Sequence, residues 1–262
     1  MLRKTGQSYA TDEICVGGGA KQLVFLAFMA TLDEGDEVIV PAPTGCRTRT
    51  WSRSTAGARD RRGHGGGRVQ AHPDRLREAI TARTKWVVLN TPNNPTGAVY
   101  SEAELRGLTD VVRAHPHVSL LCDEIYDEIN FAALPVPSAV TVAPDLRERI
   151  LLVNGVSKAY AMTGWRIGYG AGAAGLCAAI GTLQSQSSSC PSSVSQAAAV
   201  AALDGGREFI DRTVKIYTER RDLLVSGLAA IDGLRPTLPE GGFYVWVDAS
   251  ALLGSVTPRA RP

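Results

Sequence analysis

Four short apolar runs constrain the fold of this chain more than any other feature. They are Glu37 to Pro41 (EVIVP), Lys85 to Asn90 (KWVVLN), Val118 to Asp123 (VSLLCD) and Ile150 to Asn154 (ILLVN). Each has strand length, and none alternates cleanly between apolar and polar. Such runs read as strands buried on both faces. Helical patterns lie around them. Lys21 to Leu32 follows the glycines Gly17, Gly18 and Gly19, and Leu76 to Thr81 is the apolar part of a second helix. A third helix starts at Ser101, with Glu104 at capping-box spacing. Strands that alternate with helices give an α/β architecture with a mostly parallel sheet covered on both faces. Arg207 to Ile231 reads as a long helical stretch. Phe243 to Val247 (FYVWV) reads as a strand opening a smaller α+β domain. The expected division is a large domain over 1–218 and an incomplete small domain over 219–262.

Composition narrows the class. The 262 residues are 44% hydrophobic and 21% charged, ordinary for a globular protein with a real core. The net charge of +2 implies no acidic partner by itself. Cys15, Cys46, Cys122, Cys177 and Cys190 are odd in number and form no C-x-x-C pair. They read as reduced thiols of a cytoplasmic protein, not as a disulfide framework or a zinc site. The first residues lack the apolar stretch of a signal peptide, and no apolar run approaches a membrane span.

Four strings carry chemistry. The strongest is Asn154 to Tyr169, NGVSKAYAMTGWRIGY. Here a strand runs into a Gly/Ser turn that presents Lys158, and Arg166 follows eight residues later. A partly desolvated lysine near a cation has a lowered pKa and is nucleophilic. An arginine beside it can hold a phosphate bidentately. An isolated Ser-Lys pair would be read as a solvated loop, but this long string is not. Asn90 to Gly97 (NTPNNPTG) is a Pro/Asn turn after a strand. Asp123-Glu124-Ile125-Tyr126 places an acid at a strand's C-terminal end, where open α/β sheets bind ligands. Gly17 to Gln22 (GGGAKQ) leads into a helix, and its small residues would let backbone N–H groups approach a phosphate. Taken singly, the last three strings are also what ordinary turns look like.

Together and in this order, the four strings resemble the class I/II aminotransferases of fold type I, which depend on pyridoxal 5′-phosphate (PLP). The resemblance is nearest to the prokaryotic-type aspartate aminotransferases. It implies that Lys158 carries PLP as a Schiff base and shuttles a proton, and that Arg166 binds the cofactor phosphate with Gly19, Ala20 and Lys21. It implies that Asp123 keeps the pyridine nitrogen protonated. It also implies that Asn94 and Tyr126 hydrogen-bond the phenolic oxygen, with Asn94 near the substrate. The catalytic residues would be Lys158, Asp123 and Tyr126. The implied reaction moves an amino group between an aspartate-like or broadly chosen amino acid and a 2-oxo acid, in a homodimer without nucleic-acid or membrane partners. A PLP-dependent β-lyase on the same scaffold shares every string, and an inactive remnant is the other rival.

The chain departs from the family in three places. Thr44 to Arg68 holds seven arginines and six glycines against one aspartate, with Trp51 its only large apolar residue. Its composition reads as disorder, or as an Arg/Gly nucleic-acid segment. Relatives instead carry roughly Tyr-Trp-Val-Ser-Tyr-Pro-Asp-Met-Val-Ala-Leu here, with a tryptophan that stacks on the cofactor ring. Codons for Thr44 to Ser54, read from one base earlier, can spell that family string. A shifted reading frame over about 44–68 is therefore the expectation, which sequencing the DNA tests. The two ends also look short. Met1 falls inside an internal helix of the family, and the family's C-terminal substrate-binding arginine has no counterpart.

Overall fold

The computed structural model describes residues 2–44, 59–61, 70–132 and 134–255. Nine strands are seen among them: β1 (Ile14–Gly17), β2 (Glu37–Ile39), β3 (Arg59–Arg61), β4 (Thr84–Asn90), β5 (Ser119–Asp123), β6 (Ile150–Gly155), β7 (Gly168–Ala171), β8 (Arg235–Pro236) and β9 (Val247–Asp248). The helices are α1 (Leu2–Thr5), α2 (Ala20–Thr31), α3 (Pro73–Ala79), α4 (Glu102–Arg113), α5 (Ala139–Val142), α6 (Ala174–Ser187), α7 (Ser193–Asp204) and α8 (Glu208–Ala229). Seven strands form one sheet in the order β1-β7-β6-β5-β4-β2-β3. From β6 to β3 all neighbours are parallel, while β7 is antiparallel to both β6 and β1. The mostly parallel α/β sheet read from the apolar runs is present.

The sheet has a buried layer on each face, which explains why the runs do not alternate. Side chains of successive strand residues point to opposite faces. Trp86, Val88, Leu121, Leu151 and Val153 join Leu23, Ala27 and Phe28 of α2 and Ile180 of α6. Val87, Leu89, Leu120, Cys122, Ile150 and Leu152 join Leu105, Leu108 and Val112 of α4 on the other face. The capping box at Ser101 and Glu104 forms as expected and starts α4.

Three readings need correction. Phe243 to Val247 is not a strand. Only Val247 and Asp248 pair as a strand, with Pro236 and Arg235, while the rings of Phe243 and Tyr244 pack against Tyr126 instead. Within the Arg/Gly-rich window, Arg59–Arg61 forms a short strand beside β2. A backbone ladder needs no side-chain pattern, so periodicity could not reveal it. The rest of that window beyond Thr44, including Trp51, lies outside the described residues. The third correction is β7, which the sequence reading lacked altogether. Its residues, Gly-Tyr-Gly-Ala, carry almost no apolar signal, yet it is an interior strand between β1 and β6. The expected domain division at 218 and 219 falls inside α8. No described helix is long and apolar enough to cross a membrane.

Candidate active site

The C-terminal ends of β4, β5 and β6 lie side by side, because Asn90 pairs with Asp123 and Asp123 with Val153. Each strand releases its chain into one of the strings singled out above. At β4, Asn90 Nδ2 donates to the Asp123 carbonyl at 2.8 Å, and Asn90 Oδ1 accepts from the Asn94 N–H at 2.7 Å. The loop is thereby folded back so that Asn94 faces the next strand. At β5, the Ile125 N–H donates to Asp123 Oδ1 at 3.2 Å, which turns the chain and brings Tyr126 over the strand ends. At β6, Gly155 leads into the turn that carries Lys158.

These turns border one cavity of about 680 Å³. Ala20, Lys21, Asn94, Asp123, Tyr126, Lys158 and Arg166 all line it. Gly19 is the remaining predicted site residue, and it lies just behind this lining. It caps α2 with φ 98°. A Cβ there would stand 2.3 Å from Arg166 Nη2. The eight residues are thus brought together.

One end of the cavity suits an anion. The N-terminus of α2, with Ala20 and Lys21, borders it and presents the positive end of the helix, and Arg166 reaches across it. The Arg166 guanidinium donates to the Thr163 carbonyl at 2.9 Å and the Gly18 carbonyl at 3.1 Å. Among the described residues no carboxylate pairs with it, so its charge is available to a ligand. Gly168 makes this end possible, since a Cβ at that position would lie 2.1 Å from the Ala20 nitrogen.

The other end holds groups with shifted proton affinity. Burial, then the Arg166 charge, lowers the Lys158 amine below the usual lysine range, and Asp123 works in the opposite direction. Its Nζ sits 5.6 Å from the Tyr126 ring centre and 5.3 Å from that of Phe243. Burial pushes the Asp123 carboxyl up to about 6, against the Ile125 N–H and the Lys158 charge. Burial and the hydroxyl of Tyr244 push the Tyr126 phenol well above its usual value. Tyr126 Oη lies 3.0 Å from Tyr244 Oη, and Asn94 Nδ2 donates to Tyr244 Oη at 3.2 Å.

Sequence reasoning missed Tyr244, Ser157 and Thr163 as lining residues, and Gly168 as part of the cradle. Tyr244 was read as part of a strand-like aromatic run opening the small domain, not as a site residue. Its true placement comes from the turn before it. The Glu240 and Gly241 N–H groups both donate to the Gly97 carbonyl at 2.9 Å, and the Gly242 N–H donates to the Ile129 carbonyl at 2.7 Å. These bonds fasten the segment to the loops after β4 and β5.

The donor set fits PLP. An amine of lowered pKa, a carboxylate on the cavity floor, two groups able to donate to a phenolic oxygen and a separate anion cradle are the features that molecule requires.

Comparison with known proteins agrees with this geometry. The model of the family described as Aminotransferase class I and II matches residues 2–257. An aspartate aminotransferase of Rhizobium meliloti is 47% identical over 99% of this chain and 63% of its own length. An aspartate/prephenate aminotransferase of Cereibacter sphaeroides is 42% identical over 97% of this chain and 64% of its own. The crystal structure of the Rhizobium meliloti aspartate aminotransferase superposes with a TM-score of 0.93 at 45% identity, covering 98% of this chain and 64% of that one. This chain thus spans about 63% of the length of the first of these relatives. The cavity, its lysine and the matches across nearly the whole chain lead to one assignment: the chain belongs to the class I and II aminotransferase family.

Proposed function

We propose that this chain is the PLP-binding part of an aminotransferase that moves an amino group between an aspartate-like amino acid and a 2-oxo acid. The observation that carries the reading is the convergence of Lys158, Asp123, Asn94, Tyr126 and Arg166 on one cavity. The names of the relatives, aspartate and aspartate/prephenate aminotransferases, support the substrate class.

The cofactor, when bound, supplies a protonated pyridine ring that draws electrons from the substrate Cα. The residues supply the rest. Lys158, whose amine is shifted below the ordinary lysine range by burial and Arg166, would hold the cofactor through its aldehyde carbon with loss of water. Once displaced by the substrate amine, it would take a proton from the substrate Cα and return it. Asp123 holds a proton at the pyridine nitrogen. Asn94 and Tyr126 would donate to the phenolic oxygen and fix the ring plane, with the Tyr244 hydroxyl contacting both the Asn94 amide and the Tyr126 hydroxyl. Gly19, Ala20, Lys21 and Arg166 bind the phosphate and so set how far the ring enters the cavity. A homodimer is inferred on the family likeness, and the exposed Trp165 beside the Lys158 loop supports an occupant there. We further propose a cytoplasmic location, a division into domains near residue 218, and a shifted reading frame behind the missing stacking ring.

The test is pH-dependent. Asp123 has a raised carboxyl, so in the ligand-free chain it is ionised only above about pH 6. Its attraction for a pyridinium is present above that pH and is lost as pH falls through it. PLP affinity, followed by visible absorbance, is expected to drop between about pH 7 and 5. Asp123→Asn is expected to flatten that dependence and to lower amino-group transfer by on the order of 10³-fold. An unchanged pH profile in Asp123→Asn would refute the role of Asp123.

A further inference from the structure

A partly buried ionic link lies outside the residues that line the cavity. Asp127 is one turn beyond Asp123 on the segment that also carries Tyr126. Its Oδ2 accepts from Lys4 Nζ and from Asn154 Nδ2, both at 2.8 Å. Its Oδ1 is buried with no hydrogen-bond partner. Lys4 comes from α1, far away in sequence, and its Nζ also lies 3.2 Å from Glu128. Burial works against the Lys4 charge, yet Asp127 and Glu128 hold its pKa above the ordinary lysine value. Arg207 closes the cluster at 2.9 Å from Glu128.

The third member, Asn154, explains why this cluster matters. It stands near the end of β6, four residues before Lys158, and its Oδ1 accepts from the Gly155 N–H at 2.7 Å. Asn154 therefore joins the root of the Lys158 turn to Asp127. Asp127 is in turn held to the Asp123–Tyr126 segment by the backbone, its N–H donating to the Glu124 carbonyl at 3.0 Å. Without a cation, a carboxylate in this place would be an unpaired, largely desolvated charge, which a protein escapes by taking up a proton or by moving. Either response loosens the Asn154 contact.

We propose that Lys4 is a positioning residue for the cavity. By keeping Asp127 ionised and seated, it fixes the separation between the turn carrying Asp123 and Tyr126 and the turn carrying Lys158. The inference rests on the PLP reading above, since the spacing matters only if one ligand spans both turns.

The experiment compares the parent with Lys4→Met, Lys4→Arg and Asn154→Ala. Three quantities are read: thermal midpoint without cofactor, Kd for PLP, and the pH midpoint of the Lys158-dependent visible absorbance. Lys4→Met is expected to raise Kd on the order of tenfold, the scale on which misplaced binding groups are felt. It is also expected to move the absorbance midpoint upward, because the phenolic contacts from Asn94 and Tyr126 weaken. Lys4→Arg should restore both values. Asn154→Ala should repeat the Lys4→Met changes with the cation still in place, and it stands alone if Lys4→Met does not fold. A purely structural role predicts a lower thermal midpoint with parental Kd and absorbance midpoint, and that result would overturn the proposal. A parent without any Lys158-dependent absorbance would instead overturn the PLP reading, and this inference with it.

Discussion

Lys158→Ala is expected to leave a folded chain in which amino-group transfer falls by at least ~10⁴-fold, since one side chain supplies both the nucleophile and the proton carrier. The structure gives no reason for the fold to suffer. Lys158 lies on a turn, and its amine makes ring-face contacts with Tyr126 and Phe243 and lines the cavity. Removing it should therefore change the thermal midpoint little, as for most substitutions away from packed or paired groups. The pairing of lost activity with retained stability is the informative result. A variant that unfolds would show that Lys158 holds the turn together. A variant that keeps its rate would mean that the proton is moved by another group.

Gly168→Val tests the other end of the cavity and is expected to damage both binding and stability. A Cβ at Gly168 would meet the Ala20 nitrogen at 2.1 Å and the Gly19 carbonyl carbon at 2.4 Å. These are backbone atoms, so either β7 or the start of α2 must move. Overpacking of this kind costs about 1–3 kcal/mol, measurable by urea unfolding. The shift falls on the N–H groups that face the anion, and affinity for PLP should drop by on the order of a hundredfold. Gly164→Ala is the matched control, because its added Cβ would meet nothing within 4 Å. Parental affinity in Gly168→Val would mean that the phosphate is held elsewhere.

Much of this arrangement was legible before the structure. The runs containing Val87, Leu120 and Leu151 announced buried parallel strands, because strands covered on both faces cannot alternate. Asp123 and Lys158 could be placed because both follow such runs, and strand ends in open α/β sheets face the crevice. The capping pair Ser101 and Glu104 was legible because its hydrogen bonds are local. What escaped has a physical reason in each case. β7 is built around Gly168 and Gly170, whose missing side chains let neighbouring backbones close in, and small residues leave no hydrophobic pattern. Tyr244 carries strand propensity, but the bonds from Glu240, Gly241 and Gly242 to distant carbonyls decide its place. Long-range contacts of that kind have no signature in a local window. The Lys4–Asp127–Asn154 link joins three segments and was equally invisible.

The central claim is that Lys158 holds the cofactor covalently, and the most direct measurement is reductive trapping. The chain is saturated with PLP, treated with borohydride to reduce any C=N bond to a stable amine, digested, and mapped by mass spectrometry. The mass of the reduced cofactor is expected on the peptide containing Lys158 and is expected to be absent from the map in Lys158→Ala. A label on the peptide containing Lys21, or on no lysine at all, would contradict it.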